Sequence, residues 1–195
     1  MENFWRKIAE YIPNFVTLAA LASGLTSIRL SQGAQFDWAA FAILLAAILD
    51  FADGIVARSL NVESSLGAEL DSLADLVSFG VAPAFLVYNS ALYQFGELGW
   101  VITAIYVLAT GYRLARFNAN SKLEEALEQD GQFQGVPSTA SALFMISASQ
   151  LADRTLTSLS NPVAMAIVTL LASFLMVSSI SVPKLSELLR RNNKR

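Results

Sequence analysis

Residues Asp50 to Asp75 read DFADGIVARSLNVESSLGAELDSLAD, and this stretch decides how the chain folds. It sets Asp50 and Asp53 at i, i+3 and Asp71 and Asp75 at i, i+4, beside some of the most apolar sequence in the protein. Either spacing puts its pair of side chains on one face of a helix. The short polar stretch between the pairs predicts an antiparallel hairpin that brings all four carboxylates together near one membrane depth. Each is costly in a membrane helix, about 2.5–3.5 kcal/mol at the bilayer centre and less towards the interface. Four facing one another also repel, unless a cation neutralises them. Oxygen ligands without histidine or cysteine favour a hard ion, Mg²⁺ or Mn²⁺.

The rest of the chain agrees with a membrane setting. Of its 195 residues 54% are hydrophobic, and mean hydropathy is positive. Charge-free runs cover 11–28, 76–96, 98–112, 131–152 and 155–183, and a spanning helix needs about 20 mostly apolar residues. The expected fold is all-α, a six-transmembrane-helix bundle with spans at roughly 14–31, 38–58, 67–89, 98–117, 138–154 and 162–183. It forms a single membrane domain over 1–195, with no internal repeat. Pro13 and Pro162 suit helix starts, and Pro83 inside the third span predicts a kink. Trp5, Trp38, Tyr93 and Trp100 fall where an aromatic belt would lie. The first apolar run lacks a clear small-residue cleavage site, so no cleavable signal peptide is expected.

Orientation follows from Lys and Arg. With six spans, both termini, the 59–66 turn and the 118–137 loop share one side. That side, with its adjoining helix ends, carries all of the 13 Lys and Arg except Arg29 and Arg154. The positive-inside rule then makes it cytoplasmic, together with the aspartates. Cysteine and histidine are both absent. Thiolate chemistry is excluded, and carboxylates are left as the leading general-base candidates.

Small residues sharpen the chemistry. Gly54, Ala57 and Gly67 leave space beside the carboxylates, and glycine inside a helix costs about 1 kcal/mol relative to alanine. Arg58 adds a positive charge suited to phosphate oxygens. Carboxylate-bound metal, arginine and an open helix surface suit phosphoryl transfer. Two other readings stand beside it: salt bridges from the aspartates to Arg58, Arg113 and Arg116, or an ion site in a cation-coupled transporter. A transporter predicts polar residues continuing to the far side, whereas the charges stop at the cytoplasmic ends.

The spacing Asp50-x-x-Asp53-Gly54-x-x-Ala57-Arg58, then Gly67-x-x-x-Asp71-x-x-x-Asp75, resembles the full signature of the CDP-alcohol phosphatidyltransferase family, with no position missing. The resemblance implies that Asp50, Asp53, Asp71 and Asp75 hold two Mg²⁺ or Mn²⁺ ions against the pyrophosphate of a CDP-linked lipid. It also implies that Asp75 is the general base, that Gly54, Ala57 and Gly67 admit the nucleotide with Arg58 close by, and that the protein is a homodimer.

Flanking segments resemble the phosphatidylserine synthase branch of that family. They are Ser72 to Pro83, Arg113-Leu-Ala-Arg116-Phe-Asn118, Phe133 to Pro137, and Ile12-Pro13-Asn14-Phe-Val-Thr17. The implied reaction moves a phosphatidyl group from CDP-diacylglycerol to the hydroxyl of L-serine, giving phosphatidylserine and CMP. Glycerol phosphate or inositol phosphate is the alternative acceptor. Arg113 and Arg116 could bind the serine carboxylate through a guanidinium fork, with Asn118 adding a hydrogen bond; as positive-inside anchors they would instead snorkel to lipid phosphates. Asn14 and Thr17 either contact the CDP-lipid or cap the first helix. Residues 122–130 read as a solvated acidic loop or a short surface helix, and Lys184 to Arg195 as a basic amphipathic tail continuing the sixth helix and attracted to anionic lipid. Membrane lipids are expected partners and nucleic acid is not.

Overall fold

The computed structural model describes residues 2–60, 62, 64–127, 139, 142–143 and 162–178, those of 2–10 and 121–127 as backbone only. Every regular element among them is helical. Helix α1 spans Glu2–Gln32, α2 Phe36–Leu60, α3 Ser65–Asp75 and α4 Ala82–Ser90. Helix α5 spans Glu97–Leu127 and α6 Pro162–Val177. A π-helical segment, Leu76–Val81, joins α3 to α4 without a break, and a 3₁₀ turn, Leu92–Phe95, leads into α5.

Among the described residues four helical stretches are long and apolar enough to cross a membrane: Tyr11–Gln32, Phe36–Leu60, Ser65–Ser90 and Glu97–Asn120. Helix α6 is apolar but shorter. Large apolar side chains such as Phe41, Ile48, Leu108 and Phe174 face outward, the surface of an integral membrane protein. Of the expected fifth span, 138–154, only Thr139, Ala142 and Leu143 are described, all helical; the remainder lies outside the described residues, as does 179–183 of the sixth.

Three expectations shift. Helix α5 runs on to Leu127, ten residues past the expected end of the fourth span, so the first half of the expected 118–137 loop is helical. Helix α1 begins at Glu2, so Pro13 sits inside it rather than at its start. The proline removes one helical donor, the one that would serve the carbonyl of Ala9, and helices tolerate such a loss when neighbours repack around it. The irregularity expected at Pro83 appears as the π-helical segment just before it. Pro83 has no N–H for the carbonyl of Phe79, four residues back. The buried Tyr106 hydroxyl donates to that carbonyl at 3.2 Å.

Helix ends have local causes. Ser64 caps α3 by accepting from the Gly67 N–H at 3.0 Å. The Val62 N–H reaches back to the Ala57 carbonyl at 3.1 Å, a six-to-one bond that closes α2. The same bond type, Gln35 N–H to Leu30 carbonyl at 3.0 Å, closes α1, with Ala34 left-handed at φ 55°. These tight closures bring the chain back on itself, and α1 packs against both α2 and α3.

Two apolar clusters hold the bundle. One joins α4 and α5 to α6 through Val87, Leu92, Tyr106 and Met176. The other packs Ile43 and Ala46 of α2 on Phe79 and Leu86. Helix α1 crosses the π segment at Gly24, where an added Cβ would lie 2.6 Å from Ser78 Oγ and 2.8 Å from Ser78 Cα. Because backbone blocks the methyl group, Gly24→Ala is expected to destabilise the protein by about 1–3 kcal/mol, read as a lower Tm in detergent. Gly111→Ala is the control, since its Cβ would meet nothing closer than Leu76 Cδ1 at 3.7 Å; equal losses from both would contradict the close crossing.

Candidate metal centre

The chain passes from α2 to α3 between Leu60 and Ser65, and α1 packs against both helices. Asp50, Asp53 and Asp71 each offer a carboxylate oxygen, and these atoms all lie within 4.8 Å of one another. Asp53 is buried, whereas Asp50 and Asp71 are half-buried. Asp75, one turn beyond Asp71, is outside this trio but within side-chain hydrogen-bonding reach of Asp50. Its Oδ1 is buried and accepts no hydrogen bond among the described residues. Three converging carboxylates and a fourth with an unserved buried oxygen form a hard, all-oxygen donor set. It suits a divalent cation of the Mg²⁺ or Mn²⁺ type.

Helix α1 lines one flank of this site. The Thr17 hydroxyl lies 2.5 Å from Asp53 Oδ2. Asn14, one turn earlier, faces Gly67: a Cβ there would sit 3.1 Å from both Asn14 Oδ1 and Ser64 Oγ. Gly67 therefore permits the close approach of α3 to α1. Gly54 plays a similar part for Arg58, whose guanidinium folds back to 3.5 Å from where its Cβ would be. Arg58 is otherwise exposed and Ala57 is half-buried, both on the last turns of α2.

Helix α5 supplies the other flank. Arg113 lies close enough to Asp75 for their charges to interact, and its Nε is buried without an acceptor among the described residues. Asn118 donates from Nδ2 to Ser72 Oγ at 2.8 Å, tying α5 to α3 beside Asp71. An open groove of about 500 Å³ runs between these helices, lined by Ser72, Leu76, Gly111 and Asn118 among others. Arg116 points elsewhere. Its Nη1 and Nη2 donate to the carbonyls of Val177 at 3.0 Å and Ser178 at 3.3 Å, closing the end of α6, and its guanidinium lies 5.9 Å from the Tyr112 ring centroid. Arg113 thus faces Asp75, Asn118 faces Ser72 and the groove, and Arg116 serves a helix terminus.

Two features of the site escape sequence reading. The Thr17–Asp53 bond links residues 36 apart on different helices, and Ser72 enters as the partner of Asn118. A polar residue at helical spacing on the first span was the available signal for Thr17, but not for which aspartate it meets.

The sequence profile of CDP-alcohol phosphatidyltransferases matches residues 10–178. The chain is 40% identical over 145 residues to a protein of Mycobacterium tuberculosis named CDP-diacylglycerol–serine O-phosphatidyltransferase, covering 70% of this chain and 48% of that one. A Helicobacter pylori protein of the same name is 37% identical over 134 residues, covering 69% and 55%. The chain thus spans about half the length of these two relatives. A Bacillus subtilis protein, again of that name, is 36% identical over 174 residues, covering 89% of this chain and 90% of its own.

Proposed function

The chain belongs to the CDP-alcohol phosphatidyltransferase family, and from that premise we propose that it transfers the phosphatidyl group of CDP-diacylglycerol to L-serine. The convergence of Asp50, Asp53 and Asp71 with Asp75 beside them carries the reading, and serine as acceptor is supported by the names of the relatives. The proposal includes a single membrane domain over 1–195, six spans, both termini and the site on the cytoplasmic side, and a homodimer.

Family members generally use divalent metals. Asp50, Asp53, Asp71 and Asp75 would hold Mg²⁺ or Mn²⁺, two ions in this reading, and the bound charge would neutralise the pyrophosphate and the departing CMP. The chain's own groups do the rest. Asp75 accepts the proton of the serine hydroxyl, whose oxygen bonds to the lipid-side phosphorus. The bond from that phosphorus to the bridging oxygen breaks, and CMP leaves with that oxygen. Asn14, Thr17, Gly54, Ala57, Arg58 and Gly67 form the CDP-lipid side of the site. Arg58 offers a guanidinium free to swing from Gly54 to phosphate oxygens, which it binds in a planar fork.

Arg113, Arg116 and Asn118 are the serine-binding candidates. Arg113 has the better claim, because its Nε lacks an acceptor and it adjoins Asp75; Arg116 would have to share donors already given to Val177 and Ser178. A transporter would carry charge through the bundle, whereas the buried polar residues farther along α1, Ser27 and Ser31, are neutral.

The test is CMP release by purified protein from CDP-diacylglycerol, comparing L-serine, glycerol 3-phosphate, inositol 3-phosphate and no acceptor. Serine alone is expected to support release. Release with a phosphorylated alcohol but not serine would overturn the acceptor, and no release with any would overturn the transfer chemistry.

A further inference from the structure

Asp53 is the most buried of the clustered carboxylates, at 6% exposure, and Thr17 opposite it is 4% exposed. A hydroxyl has one proton to give. Two acceptors lie within reach of Thr17: its own helix carbonyl at Pro13, 3.1 Å away, and Asp53 Oδ2 at 2.5 Å. The shorter distance and the charge of a carboxylate both direct the proton to Asp53, since charge-assisted hydrogen bonds are shorter and stronger than neutral ones. The bond crosses from α1 to α2, so it sets the carboxylate torsion against a neighbouring helix rather than against the helix that carries it.

That torsion matters because Asp53 must present an oxygen towards Asp50 and Asp71, against their repulsion. Without Thr17, among the described residues only the backbone N–H of Gly54, on the same helix, would hold the carboxylate against two like charges. We propose that Thr17 is a positioning residue for cation binding, its hydroxyl holding the Asp53 carboxylate in the orientation the cluster uses. The assignment rests on reading the aspartates as cation ligands. It concerns the Thr17 proton, which goes to Asp53, and leaves Thr17 among the residues that line the CDP-lipid side of the site.

The experiment is Mn²⁺ binding to the full-length protein in detergent, without substrate, followed by electron paramagnetic resonance of the free ion. T17S and T17A both lose the threonine methyl and differ only in the hydroxyl oxygen, so packing effects are common to the two. T17A is expected to weaken Mn²⁺ binding about 10–100-fold, the usual cost of losing a partner to a metal ligand, while T17S stays close to the wild type. Equal affinities for T17A and T17S would overturn the assignment while leaving the cation site intact. Wild-type protein that binds no Mn²⁺ would overturn the cation site itself, and this assignment with it. Should T17A fail to fold, T17V keeps the branched shape without the donor and is read the same way against T17S.

Discussion

Asp75→Asn is expected to lower CMP release by about 10²–10⁴-fold, the usual worth of a positioned general base, in a protein that still folds and still binds Mn²⁺. Asparagine has the same shape but cannot take a proton. Asp75 lies outside the trio of oxygens that converge within 4.8 Å, so its replacement leaves that trio in place. Among the described residues nothing donates to its Oδ1, so one lone-pair site is left unserved. With histidine absent from the chain, no imidazole stands ready to replace it. A variant retaining more than about a tenth of wild-type turnover, well outside that range, would remove Asp75 from the role of base.

Removing divalent cations is expected to take CMP release to background and to lower the Tm. At an effective dielectric of 20, two ionised carboxylates less than 4.8 Å apart repel by at least about 3 kcal/mol. Three such pairs meet between α2 and α3, and a bound divalent cation turns repulsion into attraction. Re-adding Mn²⁺ at roughly 100 times its Kd should raise stability by about 2.7 kcal/mol, and turnover should return with it. Asp50→Asn should lose most of this stabilisation, because Asp50 touches the trio and Asp75 alike. Full turnover in chelator, or a Tm that ignores Mn²⁺ in the wild type, would contradict the metal centre.

The aspartate cluster is legible in the sequence because every relation that makes it is local. The pairs are set by i, i+3 and i, i+4 spacing, and a short capped turn forces them together. Contacts between distant helices are not legible in this way. Arg113 and Arg116 sit on nearly the same helix face with the same charge, yet Arg116 closes α6 because that helix happens to end beside it. Pro83 announces an irregularity in the third span, but its form depends on Tyr106 arriving from α5 to serve the Phe79 carbonyl. Pro13 suggested a helix start by the same rule that works for Pro162. The rule fails there because a proline's missing donor is compatible with either a first turn or a repacked interior.

The Leu76–Val81 segment is held by bonds such as Ala82 N–H to Val77 carbonyl, five residues apart instead of four. Each residue of an α-helix advances about 100° around the axis, so one additional residue in a turn rotates everything before it relative to everything after it. The stretch from Ser65 to Ser90 is therefore one rod with two azimuths. Its second half is indexed to the apolar core by Leu86 and Val87, and its first half is indexed to the carboxylate cluster by Asp71 and Asp75. Substitutions that repack the core can turn the far half of the rod while the π turn absorbs the rotation, leaving the carboxylates aimed where they were.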